Sequence, residues 1–150
     1  MDRRTAIYRF CNYQERSHQE VKDKLYALGS YPEEVDQLLV QLIQDNLLNE
    51  ERFATSFARG HFRMKNWGRI KITQGLKQHR ISEYLIRKAL KEINPNDYFA
   101  CALKLGERKW ELLAGEKEFI RKGKLYRYLL QKGYESQIIT EVIAAIITAA

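Results

Sequence analysis

The sequence predicts an all-α protein of three tandem three-helix repeats, nine helices in all, in an elongated array. Similar spacing of apolar and polar residues recurs around Val21, Ile72 and Leu125, which lie about fifty residues apart. A period of this length is typical of helical repeats, in which each unit buries its apolar face against its neighbours. Only eight glycines and two prolines interrupt the 150 residues, which favours long helices over many-turned β structure. The predicted repeats comprise residues 1–48, 49–94 and 95–150.

Start and stop signals define the helices of the first repeat. The first helix is predicted to run from about Arg3 to Gln14. Ser17 and Glu20 have the spacing of a capping box for the second helix, and Gly29 can end that helix in the left-handed conformation. Pro32 suits the first turn of the third helix. The buried side of the third helix is predicted to hold Val35, Leu38, Leu39, Leu42 and Ile43.

The second and third repeats show the same punctuation. Asn49 is predicted to cap the fourth helix, residues 66–68 to form a turn before the fifth, and Ser82 to cap the sixth. Pro95 opens the seventh helix and Gly133 closes the eighth, while the ninth is rich in isoleucine. One side of the fourth helix is predicted to gather Phe53, Ala54, Phe57, Ala58, His61 and Met64.

The net charge of +7 is concentrated in the middle of the chain. Residues 1–51 carry six basic and ten acidic side chains, and residues 94–150 carry nine and seven. Residues 52–93 carry eleven basic and only two acidic side chains. A region this basic predicts a polyanionic partner or an acidic protein surface. A solvated face that serves solubility is the alternative.

The candidate contact residues are the basic side chains of the fourth and fifth helices, because arginine pairs bidentately with phosphate and carboxylate groups. The set is Arg52, Arg59, Arg63, Lys65, Arg69, Lys71, Lys77 and Arg80. Trp67 either stacks on a base or anchors its loop, and the anchoring role is favoured. A second basic run on the third repeat is the alternative surface: Arg121, Lys122, Lys124 and Arg127.

The residue pattern indicates neither catalysis nor a bound metal. Cys11 and Cys101 match no ligand spacing, and the three histidines share none with cysteines or acids. The glycines do not form a phosphate-binding loop. We therefore expect a binding protein and not an enzyme, with no cofactor. The chain has no signal-peptide pattern and no apolar run long enough to span a bilayer, which predicts a cytoplasmic protein without membrane contacts.

The middle repeat carries a longer motif. After the leucines and acids of residues 47–51 it reads Arg52-Phe53-Ala54, then Trp67-Gly68-Arg69, then Leu76-Lys77 and Arg80-Ile81. The first repeat adds Arg16-Ser17-x-x-Glu20-Val21-x-x-Lys24-Leu25. This pattern resembles the RecX family, the bacterial regulators of the RecA recombinase. Three positions depart from the family pattern: Asn49 replaces Asp, Gly75 replaces Glu, and His79-Arg80-Ile81 replaces Lys-Gly-Ile at the turn before the sixth helix.

The resemblance implies that the three repeats form a curved, elongated array. It implies binding in the groove of the RecA filament on single-stranded DNA, where the protein blocks filament extension and promotes disassembly. It implies inhibition of ATP hydrolysis, strand exchange and repressor cleavage, and thus a role in DNA repair, homologous recombination and the SOS response. Direct DNA binding is expected to be weak and sequence-nonspecific, and the protein to be a monomer. Two alternatives stay open: a DNA-binding regulator of helix-turn-helix type formed by residues 68–93, and a helical scaffold for another protein.

Overall fold

The computed structural model describes residues 1–149, and Ala150, the last residue of the third predicted repeat, lies outside them. The described residues form nine helices and no strand, as the sequence predicts. The helices are α1 (Arg3–Tyr13), α2 (His18–Ala27), α3 (Pro32–Gln44), α4 (Glu50–Lys65), α5 (Arg69–Gln78), α6 (Glu83–Leu90), α7 (Pro95–Leu112), α8 (Glu118–Gln131) and α9 (Ser136–Ala149). The repeat boundaries and the elongated shape stay predictions.

The chain forms two compact units. Unit 1 comprises Met1–Phe57 and Leu76–Ala89, and unit 2 comprises Ala58–Gly75 and the described residues from Leu90 onward. In unit 1, α2 packs against both α1 and α3. The core of these three helices is made of Ile7, Cys11, Val21, Leu25, Val35, Leu38, Leu42 and Leu48.

Unit 2 is organised around the mutual packing of α7, α8 and α9. Gly106 allows α7 and α9 to approach closely, because a Cβ atom there would lie 2.8 Å from Cγ1 of Val142. Two tyrosines of this unit, Tyr98 and Tyr134, are fully buried with ring centres 5.1 Å apart. Aromatic pairs at this distance add to the stabilisation that burial provides.

The predicted helix ends are confirmed at several positions. Ser17 and Glu20 form both hydrogen bonds of the capping box at the start of α2. The Oδ1 atom of Asn49 accepts from the Arg52 amide at 3.0 Å and thereby caps α4. Gly29 follows α2 with φ +92°, in the region where glycine is favoured. These local signals were readable because each involves residues within a few positions of one another.

One predicted burial is wrong, and one residue of the predicted apolar side of α4 is exposed. Ile43 is 43% exposed, because the buried side of α3 follows Val35, Leu38 and Leu42 and the next residue is rotated by about 100° around the helix. Met64 is 84% exposed. The last turn of α4 is exposed from residue 63 to residue 65, so the apolar side of this helix ends one turn earlier than its spacing predicts.

None of the helices within residues 1–149 combines the length and the apolar character that crossing a bilayer requires.

Candidate functional site

The eight basic candidates divide between the two units. Arg52, Lys77 and Arg80 belong to unit 1. The other five, with Trp67, belong to unit 2: Arg59, Arg63, Lys65, Arg69 and Lys71. The candidates also differ in what their cationic groups contact, because some are held by carboxylates of the same chain and others are not.

Arg52 is committed to contacts within unit 1. Its Nε atom lies 2.7 Å from a carboxylate oxygen of Glu15. Its other two nitrogens donate to Oδ1 and to the backbone carbonyl of Asn46, at 2.9 and 2.8 Å. Asn46 ends α3 with φ +59°. Arg52 therefore ties the turn after α3 to the start of α4, and its charge is already neutralised by Glu15.

Arg69 is equally committed within unit 2. Its guanidinium lies 2.8 Å from Glu135 and its Cζ atom lies 3.8 Å from the centre of the Tyr98 ring. The Tyr98 hydroxyl donates to Glu135 and accepts from the Arg69 amide at 2.9 Å. Burial acts to raise the pKa of Glu135, but the hydrogen bonds from Tyr98 and Arg69 outweigh it and lower that pKa. Burial also raises the pKa of Tyr98, so its hydroxyl stays a donor at neutral pH.

A backbone joint fixes the position of Arg69. The amide of Gly68 donates to the carbonyl of Lys132 at 2.7 Å, and the amide of Ile70 donates to the carbonyl of Gly133 at 2.9 Å. The free amides that begin α5 thus meet the free carbonyls that end α8, which satisfies both helix termini and aligns their dipoles favourably. A Cβ atom on Gly68 would lie 2.3 Å from the backbone of Gly133, so only glycine fits there.

Five candidates are exposed and make no ion pair with another described residue. They are Arg59, Arg63, Lys65, Lys77 and Arg80. Arg59 and Arg63 are one turn apart on α4, and Lys65 ends that helix. Their cationic groups can meet an external anion without first breaking an ion pair with another described residue.

Arg80 adopts an unusual backbone conformation for its residue type. Its φ is +58°, and the Ile81 amide donates to the Leu76 carbonyl at 3.1 Å, as in the Schellman motif that ends many helices. The equivalent positions after α2 and α8 are Gly29 and Gly133, at φ +92° and +96°. The turn before α6 therefore keeps its form although an arginine occupies the glycine position. This left-handed conformation is unfavourable for arginine because its Cβ atom is crowded by the backbone.

Trp67 lies against its own unit. Its ring centre is 4.5 Å from that of His61, and its amide donates to the His61 carbonyl at 3.1 Å. The Nζ atoms of Lys71 and Lys65 lie 4.8 and 5.6 Å from the centre of the Trp67 ring, within the range of cation–π attraction. The half-buried indole thus makes the contacts of a loop anchor.

The alternative basic run on α8 is partly committed too. Arg121 donates to the Trp110 carbonyl at 3.0 Å and stacks over its ring, while Lys124 pairs with Glu116. Arg127 is exposed. Among residues 1–149, no three metal-binding side chains lie close enough together to hold an ion. Burial raises the pKa of the Cys11 thiol to about 11, which keeps it protonated at neutral pH.

Sequence reasoning identified the basic candidates but missed the partners that separate them. Glu135 lies 66 positions after Arg69, and Glu15 lies 37 positions before Arg52. Neither carboxylate has a local spacing that links it to its arginine. The two acids have only their position in common, since each stands just outside a helix, Glu15 after α1 and Glu135 before α9.

Two family models match most of the chain. One is described as RecX, second three-helix domain, and matches residues 49–90. The other is described as RecX, third three-helix domain, and matches residues 96–143. The chain belongs to the RecX family. All nine candidate residues, from Arg52 to Arg80, lie within the match to the second RecX domain.

Individual RecX proteins support the assignment. The regulatory protein RecX of Prosthecochloris aestuarii is 32% identical over 150 residues, which cover 98% of this chain and 97% of that protein. The regulatory protein RecX of Clostridium perfringens is 28% identical over 130 residues, and the match covers 85% of this chain but 60% of that protein.

Two RecX crystal structures share the fold. RecX from Lactobacillus salivarius gives a TM-score of 0.88 at 23% identity, over 97% of this chain and 95% of that one. A second structure, of a regulatory protein RecX, gives 0.84 at 24% identity, over 95% and 72%.

Proposed function

We propose that this RecX-family protein binds the RecA filament on single-stranded DNA and inhibits the recombinase, ATPase and coprotease activities by blocking filament extension. The observation that carries the proposal is the set of unpaired, exposed cations on the middle repeat. Arg59, Arg63 and Arg80 represent it best, since each presents a guanidinium that makes no ion pair within the described chain. Guanidinium groups bind both the phosphates and the carboxylates that such a filament exposes.

The same cations also explain the weak and sequence-nonspecific DNA binding that we expect of this protein. Phosphate contacts supply affinity but carry no sequence information. Arg52 and Arg69 are excluded from this role, because their internal partners already neutralise them. The protein acts as a cytoplasmic monomer that needs no cofactor and catalyses no reaction, and its effect on recombination, repair and the SOS response follows from filament binding alone.

Operator binding by a helix-turn-helix is a weaker reading of residues 68–93. In that arrangement the first turn of α6 would contact base edges. Glu83 and Tyr84 are exposed at that turn, and the carboxylate of Glu83 would approach the phosphates of the groove. A like charge at the readout position opposes docking.

The deciding experiment measures RecA ATP hydrolysis on circular single-stranded DNA with and without this protein. We expect turnover to fall progressively at substoichiometric amounts, because one bound molecule stops extension beyond it. Fluorescence anisotropy of a labelled oligothymidylate should show weak binding. For each tenfold increase in salt, its affinity should fall by roughly 0.7 log units per contacted phosphate. Unchanged ATP turnover at protein amounts equal to RecA would contradict the proposal.

A further inference from the structure

The third repeat exposes an apolar groove that the proposed function does not use. It lies between α8 and α9, has a volume of about 480 Å³, and its apolar lining includes Phe119, Ile120 and Ile143. Phe119 is 89% exposed and Ile120 is 43% exposed. Large apolar side chains that line a concave surface in water are typical of a binding site for another molecule.

Gly123 makes the groove possible. It lies in the middle of α8 and lines the groove, and a Cβ atom there would find only Nη1 of Arg127 within 4 Å, at 3.5 Å. Glycine inside a helix is destabilising relative to alanine, yet no packing requirement explains it here. Tyr126 also lines the groove, and its hydroxyl lies 2.6 Å from Oγ of Ser136, which ties α8 to the start of α9.

The charges at the groove favour an acidic occupant. Lys122 and Arg127 line it, and no carboxylate among the described residues does. Lys122 has only a 3.8 Å contact with Glu118, and both side chains are exposed, so this ion pair is weak. Arg127 is exposed and makes no ion pair with another described residue.

We infer that this groove binds an amphipathic helical segment of a partner protein, with apolar side chains between α8 and α9 and acidic side chains against Lys122 and Arg127. A single strand of nucleic acid fits less well. Phe119 and Tyr126 offer aromatic rings, but Ile120, Gly123 and Ile143 supply aliphatic surface, where bases gain little. The inference uses no residue of the middle repeat.

The probe is a labelled synthetic helix with leucines at i, i+4 and i+7 and glutamates elsewhere. Its companion has lysine in place of every glutamate, and an oligothymidylate tests the nucleic-acid alternative. Anisotropy should show binding of the acidic helix to the full chain, with the lysine version binding at least about tenfold more weakly. Isoleucine-methyl spectra should shift at Ile120 and Ile143 and stay unchanged at Ile7 and Ile86, which are buried in unit 1.

Two variants then test the groove itself. Gly123→Leu should fill it and weaken the acidic helix by about tenfold or more, while leaving the melting temperature no lower than the parent's, because leucine favours helix. Gly60→Leu is the matched control, since Gly60 also lies inside a helix with no atom within 4 Å of an added Cβ, and it should bind as the parent does.

Lys122→Glu with Arg127→Glu should weaken binding, whereas Lys104→Glu with Arg108→Glu, an equal charge change on α7, should not.

Several outcomes would overturn the inference. They are no binding of the acidic helix, equal binding of its lysine version, methyl shifts outside the groove, or unchanged binding by Gly123→Leu. Loss of oligothymidylate binding in Gly123→Leu, with the peptide unaffected, would identify a nucleic-acid site instead. If Gly123→Leu fails to fold, the methyl shifts of the parent protein decide. These assays contain neither RecA nor a filament, so their failure leaves the proposed function standing.

Discussion

Two pairs of arginines on the middle repeat look alike in the sequence and differ in the structure. Arg52 and Arg69 are bound by Glu15 and Glu135 at 2.7 and 2.8 Å. Arg59 and Arg63 are exposed and make no ion pair with a described residue. The net charge of a segment therefore identifies a basic region, but partners within the chain decide which of its cations are available. The first pair should matter for stability and the second for binding.

The largest loss of stability is expected from a charge placed on the buried side of α5, the helix that carries Arg69 and Lys77. Leu76 is fully buried on α5, so Leu76→Asp places a carboxylate in an apolar site without a partner. We expect a loss of about 3–5 kcal/mol in the free energy of unfolding, measured by urea denaturation. A melting temperature within a few degrees of the parent's would show that the burial of Leu76 contributes little to the stability of unit 1.

Truncating one arginine from each pair tests whether the paired and the exposed arginines differ in their contribution to stability. Arg69→Ala leaves Glu135 half-buried without its cation and removes the contact with the Tyr98 ring, so we expect a loss of about 2 kcal/mol. Arg59→Ala should change the free energy of unfolding by less than about 0.5 kcal/mol. Equal losses for the two variants, measured in the same denaturant series, would erase the distinction between held and available arginines.

Arg80 is expected to affect both stability and binding, in opposite directions. Arg80→Gly should relieve the left-handed strain and raise the free energy of unfolding by about 1 kcal/mol, since the equivalent turns carry glycine. The same change should weaken oligothymidylate binding and make its salt dependence shallower. Arg80→Asn is the control, because asparagine tolerates this conformation and carries no charge. A less stable Arg80→Gly variant would mean that the side chain is structural, as for Arg69.

The smallest expected effect is a pH dependence of stability that arises from the ion pair between Arg69 and Glu135. The folded-state pKa of Glu135 lies below its ordinary value of 4.5, so its contribution to stability is present above pH 4.5. That contribution is lost as the pH falls through the lower folded-state pKa. Glu135→Gln should therefore have a flatter acid limb of unfolding free energy against pH than the parent. Identical limbs for the two proteins would show that the ion pair does not contribute.

The sequence predicted most of what is local and little of what is long-range. The capping box at Ser17 and the left-handed Gly29 each depend on neighbours within a few positions, and both are confirmed. Tyr98 and Glu135 lie 37 positions apart, and their hydrogen bond depends on how α7 and α9 pack. Periodicity does not identify such a pair, because no spacing links a tyrosine of one helix to the glutamate that precedes another.

The candidate site shows the same division. Spacing places Arg52, Arg59 and Arg63 on one side of a helix, but it cannot show that Glu15 and Asn46 hold the first of them. The turn at Arg80 was the least predictable local feature, since the usual glycine is absent from it. Hydrogen bonds along the backbone of α5 keep its form despite the residue type.

We propose that Arg59 and Arg63 form the surface that contacts the filament. The most direct measurement compares RecA ATPase inhibition by the parent, by Arg59→Glu with Arg63→Glu, and by Lys104→Glu with Arg108→Glu. The control pair is exposed, has the same i,i+4 spacing and undergoes the same change of charge, on α7 instead of α4. With helicity unchanged in all three proteins, we expect the first variant to lose most of its inhibition and the control to keep it. Full inhibition by the folded Arg59→Glu/Arg63→Glu protein, or equal losses in both variants, would contradict it.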